Sequence, residues 1–572
     1  MSTLDWGVLV GYLVLIVSWG LFKGRGTERI DEYLLAGRQM RWWAIGLSVM
    51  ATQISAITFV GTTGQAFEKG MGFIVFYFGL PVAMVILCAT LVPFFYRSGV
   101  VTAYEYLEKR FDVRVRTATS FLFLLSRGLA VGVTLYAPSL ILSVVLGWSE
   151  SATILLMGVA TVLYVIQGGN RSVIWTDVAQ MALIWVGIFV CLGVVWTQLP
   201  ESFRLRDALA LAQVNGRLDA IDLSLDPRRT YTLWSGLIGG TFLALAYFGT
   251  DQSQVQRYLS GRSLRDSRLS LLMNAALKIP MQFVILLTGA LVFVFFHFHS
   301  QPLLWNSSIL ARAAAVEPGR TAALTEKLAE AEGARKQAAF GFALARQHAA
   351  NSAGPTVEAA RVAYLRTQDR VDEVRGEARA LAQDVTGAKA YDETNYVFPT
   401  YVVTWLPRGV AGLVIAVIFA AAMSTLSGEL NSLAAASVVD FYKRLLHPQG
   451  SEAHFLRVSR LLTVFWGGFA VLIALWSGHL GSAIEVVNRF GSYFYGSILG
   501  VFGLAVLARR VDGRGALVGL GAGMASVMAT ALMTEVSFLW YNVVGAVTVF
   551  VVGLAVSGLG GEAGNEPAGP ST

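Results

Sequence analysis

Between Phe419 and Arg444 the chain reads FAAAMSTLSGELNSLAAASVVDFYKR, an apolar run interrupted by hydroxyls at Ser424, Thr425, Ser427, Ser432 and Ser437. Ala421, Ser424, Thr425 and Gly428 fall at i, i+3, i+4 and i+7, so on a helix they share one narrow face. That face offers two hydroxyl oxygens and side chains small enough to leave backbone carbonyls within reach. Hard cations take oxygen ligands, so the chemistry is that of a cation site. The same residues would also let two membrane helices pack closely, and this stretch alone leaves both readings open. Four ionisable groups lie in apolar surroundings: Asp177 after VIWT, Arg127 in FLLSRGLAVG, Lys278 in LLMNAALKIPMQF, and Glu429 beside Ser427-Gly428. Charges at membrane depth are costly and by default mark ion or substrate routes. The plainer alternatives are that Asp177 and Arg127 lie near an interface, where snorkelling is cheap, and that Lys278 pairs with Glu429 as a buried brace.

The elements that would hold these groups are membrane helices. Of 572 residues 55% are hydrophobic and only 14% charged, with mean hydropathy +0.58, against about 25% charged in soluble domains. We read 13 spans, starting near Trp6, Trp42, Phe73, Thr117, Ala152, Val173, Leu233, Leu271, Gly409, Arg460, Ile484, Ala516 and Phe538. Each is close to the roughly 20 apolar residues a bilayer demands. The first has no cleavage site after it and is read as a retained span. Cys88 and Cys191 lie in apolar segments and indicate no disulfide framework. Two spans look broken. The second contains SVMATQISAITFVGTTGQAF, where unwinding would free carbonyls near Ala51 and Ile54. The seventh contains GGTFLALAYFGTDQSQVQRYL, which passes Gly249 and turns polar. Irregular backbone at membrane depth is tolerated only where it lines a cavity, and broken helices at matching positions in two halves point to a transporter's site.

Basic residues concentrate after odd-numbered spans, for example Lys23, Arg25 and Arg29 after the first and Arg257, Arg262, Arg265 and Arg268 after the seventh. This excess accounts for a net charge of +7 without nucleic acid. It places the N-terminus outside and the C-terminus in the cytoplasm of a multi-pass protein of the cell inner (plasma) membrane. The connection after the eighth span carries an insertion whose Glu317–Gly387 part, rich in Ala, Glu, Arg and Gln, reads as an antiparallel helical hairpin broken at Asn351-Ser-Ala-Gly-Pro355. Its apolar positions, such as Leu324, Leu328, Val362, Leu365 and Val371, are sparse. It is a candidate spacer or docking arm for a protein partner. The tail from 559 to 572 is Gly-rich and expected to be disordered.

GGNRSVIWTDVAQ (168–180), TDQSQVQRYLSGRSL (250–264), AAAMSTLSGELNS (420–432) and DEYLLAGRQMRWWAIGLSVMATQISA (31–56) together resemble the signature segments of the sodium:solute symporter family. The resemblance implies an all-α integral membrane protein of the leucine-transporter type, with two inverted repeats of five helices. It assigns 1–41 to an extra helix and cytoplasmic loop, 42–198 to the first repeat, 199–231 to an extracytoplasmic connection and 232–507 to the second repeat, which is interrupted at 305–398; two C-terminal helices fill 508–558. It implies a principal sodium site from the carbonyls of Ala51, Ile54 and Ala421 and the hydroxyls of Ser424 and Thr425. A further sodium in some members maps to Asp177, Ser424 and Ser427, but the next serine of that pattern is Gly428 here. The acidic–glutamine pair of sugar-transporting members reads Ile57 and Thr58, and their glutamate reads Tyr77, although Lys278 matches a lysine such members use. The wording TDQSQVQRY is more similar to the branch carrying anions, monocarboxylates and vitamins.

The expectation is therefore a secondary active symporter with Na+ as coupling ion and a small organic or anionic solute as partner, embedded in lipid. The solute is placed near Gln53, Ser55, Thr58, Tyr77, Gln252 and Lys278. A sodium-coupled sugar symporter is the alternative within the class. A transporter-like membrane sensor or scaffold is the alternative outside it, supported by the hairpin alone. An enzyme is not expected: the six His form no metal-ligand pattern, and neither a nucleophile elbow nor a phosphate loop occurs.

Overall fold

A computed structural model of the chain describes residues 1–348, 354–388, 391–476 and 483–559. The Asn351–Ala353 part of the hairpin break and the tail from 560 onward lie outside them. The described residues form helices and one isolated bridge, Met40 to Gly261. We label the helices used below α1 (Thr3–Lys23), α2 (Trp42–Gln53), α3 (Ala56–Lys69), α4 (Met71–Ser98), α5 (Val113–Leu146), α6 (Glu150–Thr197), α7 (Gly240–Thr250), α8 (Gln252–Tyr258) and α9 (Leu264–Phe295). They continue with α10 (Pro318–His348), α11 (Pro355–Thr386), α12 (Thr394–Trp405), α13 (Val410–Ala436), α14 (Glu452–Trp476), α15 (Ala483–Leu507), α16 (Gly513–Met533) and α17 (Phe538–Leu559).

Nine helices among the described residues are long and apolar enough to cross a bilayer, and ten if the bent pair over 42–69 is one span. The difference from the 13 segments read in the sequence has physical causes. At 48 residues, α6 would run roughly 72 Å if straight, over twice the ~30 Å hydrocarbon core. It is interrupted by a kink at Gly169 (φ 52°, ψ −142°), where a Cβ would collide with the Tyr33 carbonyl and ring. The pieces Ser235–Thr250 and Gly491–Leu507 are too short to count alone.

At the centre lies α13, buried along its length, its polar side chains included, and packed on α6, α5, α1 and α2. A helix buried on every side belongs inside a bundle. Beside it both spans read as broken are unwound. α2 stops at Ile54 (φ −94°, ψ 84°), and α3 restarts with Ser55 accepting the Thr58 N–H at 3.2 Å. In an unbroken helix that N–H would bond the Ile54 carbonyl, so the cap releases it. The two segments bend by 55°. The second break falls at Asp251 (φ −81°, ψ 121°), whose carboxylate accepts the Ser253 N–H at 2.9 Å. Gly249, two residues earlier, is helical and lets Leu87 and Leu91 approach.

Outside the bundle α10 and α11 pack on each other through Leu324, Leu328, Val371, Val374 and Leu381. Val362, read as a core position, is 39% exposed, and Tyr364 is buried in its turn of helix instead. The pair is tied down by Arg335 donating to the Phe296 carbonyl (2.7 Å), Arg375 to the Pro302 carbonyl (3.0 Å), and the Arg379–Glu68 ion pair (3.1 Å). Burial pushes the Glu393 carboxyl up although Arg375 lies 3.9 Å away. α12 then lies across α3, close enough that a Cβ on Gly64 would collide with the Thr394 carbonyl.

Candidate functional site

The hydroxyl face of α13 looks onto the first break. Ser424 Oγ lies 3.0 Å from both the Ala51 and Ala421 carbonyl oxygens. Thr425 Oγ1 lies 3.1 Å from the Ala421 carbonyl and 3.1 Å from that of Thr52. Ala51, Ile54, Ala421 and Ser424 are fully buried and Thr425 is 5% exposed. Thus Ala51, Ala421, Ser424 and Thr425 converge, while Ile54 forms the turn whose carbonyl the Ser55 cap releases. The Thr52 carbonyl was not foreseen, because which carbonyl faces outward from a broken turn depends on dihedral angles that residue types do not encode. These are neutral oxygens around one point, a set suited to an alkali cation.

Thr425 also belongs to the wall of a cavity of about 120 Å³, together with Thr52, Gln53, Ser55, Thr58 and Tyr77. Four of the six expected solute contacts, Gln53, Ser55, Thr58 and Tyr77, are therefore brought together beside the oxygen cluster. The other two are not on the wall. Gln252 accepts the Ala103 N–H (3.0 Å) and donates to the Val101 carbonyl (2.9 Å), holding a loop. Its type suits a polar ligand, but its place just past the break turns it away from the cavity. Lys278 sits behind Tyr77 with Nζ 4.9 Å from the ring centroid, fully buried and without a hydrogen-bond partner.

The far wall is charged. Arg127 donates Nη1 to Glu429 Oε1 at 2.7 Å and Nη2 to Asp251 and to the Tyr495 hydroxyl. The Tyr495 hydroxyl also donates to Asp251 at 3.2 Å. Tyr247 and Tyr495 flank the guanidinium at 5.6 and 5.7 Å. This corrects two expectations: Glu429 braces Arg127 and not Lys278, and Arg127 is buried, not snorkelling. Glu429 Oε2 remains without a partner. Asp251 could have been suspected from its place before a polar turn; nothing in the sequence marks Tyr495.

Asp177 is likewise fully buried, not at an interface. Its Oδ2 accepts Ser48 Oγ at 2.6 Å and Arg257 Nη2 at 3.2 Å. Ser427 Oγ donates to the Ser424 carbonyl at 3.0 Å. The Arg257 guanidinium fills the space beside Gly428, where a Cβ would collide with it. Asp177 is thus paired with a fixed cation while Ser427 stays bonded to the Ser424 backbone, although Asp177 Oδ1 has no hydrogen-bond partner.

The model of the sodium:solute symporter family matches residues 33–315 and 377–523. The chain is 29% identical to human sodium-coupled monocarboxylate transporter 1, over 91% of this chain and 72% of that protein. It is 25% identical to the sodium/sialic acid symporter SiaT of Proteus mirabilis, over 96% and 94%. Its fold matches the substrate-bound outward-open state of a Na+-coupled sialic acid symporter with a TM-score of 0.75 at 24% identity, covering 98% of both chains.

Proposed function

The chain belongs to the sodium:solute symporter family, and from that premise we propose how its own residues couple Na+ to a small organic solute. It is a multi-pass membrane protein of the leucine-transporter type, and sodium is its coupling ion. Our assignment puts that sodium among the carbonyls of Ala51, Ile54 and Ala421 and the hydroxyls of Ser424 and Thr425, with the Thr52 carbonyl at the edge. The observation that supports this is the convergence of the Ala51, Thr52, Ala421, Ser424 and Thr425 oxygens from an unwound turn and a buried helix. The solute sits against Gln53, Ser55, Thr58 and Tyr77, and Thr425 belongs to both places. One shared residue makes each ligand favour the other, reciprocally, by about 1–3 kcal/mol. Import then follows by alternating access, with the N-terminus outside and the basic loops inside.

Charge supports an anionic solute. Arg127 is outnumbered by Asp251 and Glu429, and Lys278 behind Tyr77 restores neutrality. A bound Na+ then adds one positive charge at low dielectric, which a monoanion balances. A second sodium at Asp177 and Ser427 would have to share its carboxylate with Arg257, so it is the weaker of the two sites.

The test is uptake into proteoliposomes across a sodium gradient, with monocarboxylates, sugars, amino acids and small anions offered in parallel. Thr425→Ala is expected to raise the sodium needed for half-maximal uptake by about tenfold, the equivalent of ~1.5 kcal/mol for one lost contact to a charge. Thr425→Ser, which keeps the oxygen, should stay near the parent. An unchanged sodium requirement in Thr425→Ala would refute the assignment.

A further inference from the structure

On the face of the bundle that carries Lys23 and the basic loops, three connections meet around a second pocket, of about 360 Å³. Arg41 enters it from the residue before α2, Arg171 from just past the Gly169 kink of α6, and Arg262 from between α8 and α9. Trp43 and Trp175 line the same pocket, packed edge to face with centroids 5.9 Å apart. Glu32 is the one acidic residue on the wall. Two other arginines of this face, Arg116 and Arg444, instead pair with Glu108, at 2.7 and 2.5 Å. Arg41 and Arg171 have no carboxylate partner among the described residues, and Arg262 donates only Nε, to the Gln39 carbonyl at 2.7 Å.

Two features of the backbone point the same way. α2 begins here with Arg41 as its N-cap and no side chain capping it, so the first-turn N–H groups and the positive end of the helix face this pocket. Ala36 and Gly37 of the wall belong to a left-handed turn in which Ala36 (φ 50°), Gly37 (φ 62°) and Arg38 (φ 52°) follow one another. Non-glycine residues held in that region persist where the surroundings over-determine them, and they cluster at ligand sites. Beside the pocket, Lys23 Nζ lies 4.5 Å from the Trp19 ring and 4.8 Å from that of Trp175. Trp19 and Trp42 are each 39% exposed and Phe22 56%, forming an aromatic and apolar flank at the end of the spans. Tryptophan in that position marks the headgroup level of a bilayer.

We propose that this pocket binds the phosphate of an anionic phospholipid from the leaflet on its side, with the acyl chains along the aromatic flank. Guanidinium forks suit phosphate oxygens, and the flank favours a lipid over free phosphate. The place has a consequence for the transporter. The Met40 N–H donates to the Ser260 carbonyl (3.0 Å) and the Arg262 N–H to the Met40 carbonyl (3.3 Å), joining the lead-in of one broken span to the end of the other. A lipid seated here braces that join.

Native mass spectrometry of the purified full chain, titrated with phosphatidylglycerol and separately with phosphatidylcholine, tests this. The parent should retain phosphatidylglycerol in preference. The triple variant Arg41→Gln, Arg171→Gln, Arg262→Gln should bind it on the order of a hundredfold more weakly, at about fivefold per arginine. A control, Arg509→Gln, Arg510→Gln, Arg514→Gln, removes the same charge from another exposed loop and should stay within about threefold of the parent. Equal retention of the two lipids, an unaffected triple variant, or an equal loss in the control overturns the proposal. So does full displacement by excess inorganic phosphate, which would make soluble phosphate the ligand. Should the triple variant fail to elute as one species, Arg171→Gln alone decides, with about a fivefold loss expected.

Discussion

One turn of α13 separates two sites built on opposite principles. Ser424 and Thr425 meet backbone carbonyls with no formal charge anywhere in the cluster. Glu429, four residues on, is locked to Arg127, which also holds Asp251 and Tyr495. Both are buried, so the difference is not one of exposure. A cation that must arrive and leave in every cycle needs ligands that can be left behind cheaply. Hydroxyls and carbonyls can hydrogen-bond one another, as Ser424 does with Ala51, and this costs little. A carboxylate and a guanidinium cannot be left behind: stripping one partner from a buried pair strands the other charge. The neutral site is suited to exchange and the charged site to holding α5, α13 and the Asp251 break together.

The largest effect should follow from breaking the charged site. Arg127→Leu leaves Asp251 and Glu429 facing each other without a cation and should cost about 3–5 kcal/mol. The measurements are the amount of protein in the membrane and the thermal midpoint after purification. Adding Asp251→Asn and Glu429→Gln to Arg127→Leu should recover much of the loss, since it removes the stranded charges. Parent-like stability in Arg127→Leu alone would erase the contrast between the two regions.

The two sites also differ in how far the sequence revealed them. Small residues and hydroxyls at i, i+3, i+4 and i+7 name one face of a helix, and Ser55 after an apolar run announces the cap that breaks the second span. Both follow from local rules, so the hydroxyl face of α13 and the break beside it were legible. Gly64 was visible as punctuation, and its reason, the approach of the Thr394 carbonyl, was not. The charged site joins residues 124 and 302 positions apart in the chain. Nothing local chooses Arg127 over Lys278 as the partner of Glu429; that choice is made by how the helices lie against one another. Gln252 lies just past the Asp251 break and bonds residues 101 and 103, a contact between distant segments that no local pattern encodes.

Lys278 sharpens the comparison at intermediate size. It is a buried charge with no hydrogen-bond partner among the described residues, its Nζ 4.9 Å from the centroid of the Tyr77 ring. Lys278→Met keeps the length of the side chain and removes a buried ammonium that has no hydrogen-bond partner. Stability should rise, by about 1–2 kcal/mol. Sodium-dependent uptake of an anion should fall, because the positive charge that balances the cavity is gone. A lower melting temperature would show that Lys278 is braced after all, and the division into exchangeable and fixed sites would need a third kind.

The smallest effect should come from Arg379→Ala. Arg379 and Glu68 make the same chemical pair as Arg127 and Glu429, at 3.1 Å, but their side chains are 39% and 19% exposed. Water already solvates both groups, so removing one strands nothing, and the expected cost is about 0–1 kcal/mol. The pair does join α11 to the end of α3, the outer arm of the broken span. If the insertion only rests on the transporter, uptake rate and sodium requirement should both match the parent while the melting temperature barely moves. If the hairpin instead steadies the outer arm during import, the rate of uptake changes with no change in melting temperature. That outcome would tie the insertion to transport through a surface contact, and burial would no longer be enough to tell which ion pairs matter.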